Sequence, residues 1–146
     1  MGPSDGLADE VRRLAEDAVA TAHAWFGGRR ELDFSEQSLA VVEELLDDAS
    51  EVSDLPDDAS QRMVEQFGCY VLEVGRRAYG GRYRWYDARS APVMVVGEPE
   101  FRVAILTWDK VRGRLGGDEA DNIPFHYDGF AQRVRSAQPG VDVLYV

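Results

Sequence analysis

Cysteine is almost missing from this chain: Cys69 stands alone among 146 residues. That excludes an intramolecular disulfide and any metal site built from several thiolates, and it suits a reducing compartment. Long apolar runs are also absent, since none approaches the roughly 20 residues that a membrane-spanning helix requires. The opening MGPSDGLADE has neither the basic-then-apolar order of an export signal nor the pattern for myristoylation, so a soluble cytoplasmic protein is expected. Positive charge is scarce. Sixteen basic residues face 27 acidic ones for a formal net charge of -11, and a surface of that sign repels phosphate backbones and anionic lipid. Nucleic acid and membrane are therefore not expected as partners. No phosphate loop, dinucleotide fingerprint, zinc motif or serine elbow occurs, which leaves no cofactor to expect and weighs against an enzyme.

What the chain does have is material for one core. With 45% hydrophobic residues, a chain of this length can bury roughly two-thirds of its unfolded surface. Residues 1–146 therefore read as a single globular domain, with 1–4 disordered. The organising stretch is MVEQFGCYVLEVGRRAYGGRYRWY, residues 63–86. Met63, Val64, Phe67, Tyr70, Val71, Val74 and Ala78 recur at three- and four-residue spacing and predict a helix with a broad apolar face. Leu72, Tyr79, Gly68 and Gly75 widen that face, so the helix is expected to be mostly buried between a sheet and other helices. The two glycines would let neighbours close on its backbone, at about 1 kcal/mol each in helix propensity. Gly80 and Gly81 end it.

Residues 5–26 predict a first helix with Leu7, Val11, Leu14, Ala18, Ala22 and Trp25 on one stripe. Ser35 suits the N-cap of a second helix running to about Asp48, whose acidic C-terminal end opposes the helix dipole and should fray or meet a cation. An acidic loop follows, and Pro56 suits the first turn of the central helix. After Gly81 the period changes to two. Segments 82–86, 92–96 and 101–107 predict a three-stranded antiparallel meander, the middle strand apolar enough for burial on both faces. Residues 108–115 and 124–137 predict two shorter helices, and 141–146 a last strand. The order αααβββααβ gives an α+β fold: three N-terminal helices, the meander, two short helices and a C-terminal strand completing a roughly four-stranded sheet.

Chemistry-bearing residues are scattered. Cys69, His126 and Asp128 are the types of a thiol triad, and the helical wheel turns Cys69 away from Phe67 toward solvent. A mid-helix cysteine nevertheless lacks the helix N-terminus that lowers a nucleophile's pKa, so no catalytic residue is assigned. The carboxylates of residues 118–122 lack the spacing of a calcium loop, and no metal site is expected. The densest unusual cluster joins arginines to aromatics. Within it Arg82, Arg84, Tyr86 and Arg89 form the candidate binding surface, because these residue types dominate binding hot spots. Strand alternation offers a second account, in which the arginines lie against the acidic residues 43–58 and serve stability alone, and this account is preferred. A candidate pocket between the central helix and the sheet is assigned to Tyr70, Glu73, Trp108, Asp109 and His126.

Three stretches, LDFSEQSLAVVEELLDD, FGCYVLEVGRRAYGGRYRW and FRVAILTWDKVRGRLGGDEADNIPFHYDGF, together resemble small, acidic, uncharacterised bacterial proteins carrying a domain of unknown function. The shared pattern is a serine-capped acidic helix, a glycine-containing helix ending in a glycine pair before an aromatic strand, and a lysine-valine helix leading to an aromatic segment. The resemblance covers residues 32–130. It implies one coherent domain and carries no activity or catalytic residue. In composition the chain is also similar in kind to bacterial immunity proteins. The expected function is that of a non-enzymatic, immunity-like accessory protein that binds another protein. The alternative is a small-molecule-binding protein or enzyme using the pocket just named.

Overall fold

A computed structural model describes residues 3–146, with side chains from residue 6 onward. The disorder expected over residues 1–4 falls partly on Met1 and Gly2, which lie outside the described residues; Pro3 opens the first helix. Helix α1 (Pro3–Phe26) buries Val11, Ala15, Ala18, Ala22 and Phe26. This seam is turned slightly from the expected one, and Trp25 stays exposed. The reason is size: a row of alanines lets α1 lie close against the central helix.

Ser35 caps as expected, its hydroxyl accepting the Ser38 N–H at 3.2 Å, but it caps a 3-10 turn, Glu36–Ser38, that leads into α2 (Leu39–Ser50). The central helix α3 (Asp57–Tyr79) begins earlier than the apolar spacing indicates. Pro56 stands at its N-cap, Asp57 and Asp58 lie in its first turn, and Arg76 and Arg77 lie in its last. Each of these charges complements the dipole end it occupies. Gly80 stops the helix in the left-handed region, with φ 76°.

Every residue from Gln66 to Gly75 is buried, so α3 is enclosed on all sides. Ala78, placed by its spacing on the apolar face, is instead exposed. A Cβ at Gly68 would fall 2.4 Å from Trp108 Cδ1, and one at Gly75 would fall 2.8 Å from Met94 Cε. Neither site has room for a side chain, and through these two gaps α3 meets the next helix on one side and the sheet on another.

Strands β1 (Arg82–Tyr86), β2 (Ala91–Val96) and β3 (Arg102–Ile105) form the antiparallel meander. Helices α4 (Trp108–Leu115) and α5 (Ile123–Ser136) then carry the chain back, so that β4 (Asp142–Tyr145) joins β3 in parallel. The sheet is mixed, in the order β1-β2-β3-β4. All six residues of β2 are buried, as its continuous apolarity predicts.

Alternation splits the sheet into two faces. Tyr83, Met94, Val96, Val103, Ile105, Val143 and Tyr145 enter or border the main core with the helices. The other face carries a separate small cluster of Ala91, Val93, Val95 and Leu106, bordered by Tyr86 and Ala104. Among the described residues, Trp108 at the start of α4 alone joins that cluster from a helix. No helix among the described residues is long and apolar enough to cross a membrane.

Candidate functional site

The cross-strand register builds the outer face row by row. Arg82 stands opposite Val95, Val95 opposite Ala104, and Ala104 opposite Leu144. On the next two rows Arg84 stands opposite Val93 and Tyr86 opposite Ala91. On the far side of the Val95 row, Arg102 stands against Asp142, Nη2 donating to the carboxylate at 2.6 Å. An apolar strip thus crosses three strands, with β1 as its arginine border. It floors an open groove of about 350 Å3. Trp85 stands beside the groove with half its surface exposed, edge-on to Trp108 at 6.3 Å between centroids.

Three of the four residues proposed from sequence as a binding surface, Arg82, Arg84 and Tyr86, share this face. Arg89 sits in the 3-10 turn beyond β1, where its Nη1 donates to Asp109 at 2.7 Å. The acidic stretch does not cover these arginines. Glu43 and Asp47 pair instead with Arg114, and Glu44 pairs with Arg30. The C-terminal end of α2 therefore meets a cation, but one from α4. Arg84 pairs with Glu98 in the β2–β3 turn at 2.6 Å, and Arg82 makes no ion pair among the described residues.

The five residues assigned to a pocket between α3 and the sheet do not converge on one. Tyr70 is buried, accepting the Phe34 N–H at 2.7 Å and sharing a 2.6 Å hydrogen bond with the Ser38 hydroxyl. Glu73 is fully buried; it accepts from Arg76 Nε and Nη2, Arg77 Nε and the Tyr83 hydroxyl at 2.6–2.9 Å. Burial raises a carboxyl's pKa, but the bonds from Arg76, Tyr83 and Arg77 more than reverse this and hold Glu73 down at about 2. Trp108 lies over Gly68, and Asp109 is exposed between Arg89 and Arg112. His126 donates from Nε2 to the Leu106 carbonyl at 2.9 Å; burial pushes its pKa down, aided by Lys110 and opposed by that bond and by Asp121. Of the five, His126 alone lines a described cleft, with Phe125 and Tyr145.

Cys69 is fully buried, which corrects its assignment to a solvent-facing position. Its pKa is pushed up to about 12 by burial, so the thiolate that nucleophilic or metal chemistry needs is suppressed. Asp128 is exposed and His126 is committed to Leu106; no triad forms. Among the described residues, no group of three or more His, Cys, Asp or Glu side chains could hold a metal ion.

Val93, Val95, Ala104 and Leu144 belong to the face as much as the arginines do, and no motif marks them. Their signal is register: once β1 to β4 are paired, alternation puts them beside Arg82 and Arg84. Comparison of the chain with known protein families, with curated proteins and with solved structures gives no match.

Proposed function

We propose that this chain is a non-enzymatic accessory protein that docks another protein on the outer face of its sheet. The partner segment is apolar at its centre and carries carboxylates at its margin. One observation supports this above the rest: an open groove has Val93, Val95 and Ala104 in its floor, the two valines themselves buried, with the exposed Leu144 at one side, Arg84 in its lining and Arg82 on the row of Val95. Arginines beside aromatic and aliphatic side chains are what binding hot spots are made of. The charge argument points the same way, because an acidic chain that collects arginines at one apolar face has built the complement of an acidic partner.

The test compares the wild type with Leu144→Arg and Arg84→Ala as affinity baits at physiological salt. The partner held by the wild type is lost from both variants, while their melting temperatures stay within about 4 °C of the wild type, since exposed pairs such as Arg84–Glu98 contribute at most about 1 kcal/mol. Loss of the Arg84 side chain weakens binding by roughly 2 kcal/mol or more. A partner retained equally by both variants overturns the proposal. So does sedimentation showing a homodimer that Leu144→Arg dissociates, because the face would then be occupied by a second copy.

A further inference from the structure

Beside the free edge of β1 lies a second cleft, of about 520 Å3. Its lining is unusual for a chain of net charge -11. Arg12 from α1, Arg76 from the end of α3, and Arg82 and Arg84 from β1 all reach it, and no carboxylate lines it. Three of these guanidinium groups are balanced by carboxylates outside the lining, Arg82 is left without one among the described residues, and none of the four can lose its proton.

One of the lining guanidinium groups is fixed by a fully buried carboxylate. Glu73 holds Arg76 through both Nε and Nη2 at 2.8 Å, and is itself fixed by Arg77 and by Tyr83, which also lines the cleft. That leaves Arg76 Nη1 with no hydrogen bond among the described residues. Arg12 pairs with Asp9 and Arg84 with Glu98, both acids outside the lining, and Arg82 has no acidic partner. A fixed, partly used guanidinium thus lines the cleft together with three exposed ones.

We propose that this cleft binds a small phosphorylated molecule through its phosphoryl group. A carboxylate offers two oxygens in one plane and is satisfied by a single guanidinium fork. A phosphoryl group spreads three oxygens in a pyramid, and can accept from Arg76, Arg82 and Arg12 together from separate directions. The cleft shares Arg82 and Arg84 with the border of the protein-docking face, but Arg12 and Arg76 belong to it alone, and the assignment does not rest on that docking.

Pyrophosphate is the probe, titrated at low ionic strength into the full chain and followed by calorimetry and by amide and arginine side-chain NMR. The expected result is saturable one-to-one binding with shifts centred on Gly81, Arg82 and Arg12, and a melting temperature that rises with ligand. Arg82→Gln and Arg12→Gln, both at exposed positions, each weaken binding by about fivefold or more, whereas Arg133→Gln on the outside of α5 leaves it unchanged. Citrate binds more weakly than pyrophosphate. Absence of saturation, equal affinity in the Arg82 and Arg12 variants, or citrate binding as tightly as pyrophosphate overturns the assignment.

Discussion

Glu73 is a carboxylate with no exposed surface that nevertheless stays ionised. Removing one partner from such a site costs more than the pair is worth, because the remaining groups stay desolvated. Glu73→Ala should therefore lose about 3 kcal/mol in urea unfolding, since the Tyr83 hydroxyl is left buried without its acceptor. The same residue sets an acid limit. Its folded pKa lies below the ordinary carboxylate value, so the unfolded chain binds the proton first, and its contribution is complete above about pH 4.5 and lost as pH falls toward 2. His126 acts in the same direction at higher pH. Its folded pKa is also depressed, so stability declines as pH drops below about 6.5. Melting temperature followed from pH 8 to 3 should show two declines, and His126→Gln should remove the upper one. Half of the Glu73 site was legible: Arg76 and Arg77 stand three and four residues on, the spacing at which helix side chains meet. Tyr83 was not, because it reaches Glu73 only after the chain reverses at Gly80 and Gly81.

Elements were legible wherever a local signal acts alone. The cap at Ser35, the glycine stop at Gly80, the enclosed α3 and the doubly buried β2 all follow from neighbours a few residues away. The seam of α1 did not, because whether Trp25 or Phe26 turns inward depends on how closely α3 approaches. Arg114 is another such case. It is nearly fully buried and ties α4 to Glu43 and Asp47 on α2, while Glu43 also accepts the Ile123 N–H at the start of α5. Its position in sequence, between glycines in a short helix, gives no hint of partners about 70 residues away. Arg114→Ala should destabilise by about 2 kcal/mol, the worth of a buried charged hydrogen-bond pair. An unchanged urea midpoint would show that the tie is replaceable.

At the scale of the molecule, helices pack on one side of the sheet, while on the other side the start of α4, through Trp108, reaches a small buried cluster. Alternation in β1 to β4 foretold two faces, but which one the helices take depends on the path of the long connection through α4 and α5 that returns β4 parallel to β3. The arginines were expected to meet the acidic stretch, yet α2 packs on α4 and α5 and engages Arg114 and Arg30. The acids of residues 43–58 and the arginines of β1 are thereby kept on different elements without neutralising each other. Arg82, which has no acidic partner among the described residues, leaves an uncompensated positive charge at the border of the sheet face, and its field acts on an approaching charged body before any surfaces touch. On the proposed function, the sheet face would then be favoured by an acidic partner during diffusion, so productive encounters would outnumber those that random orientation allows. The association rate should fall steeply as salt rises from about 20 to 200 mM while the dissociation rate changes little. Stopped-flow measurement on the Arg82→Gln, Arg84→Gln double variant should show a slower and flatter dependence on salt.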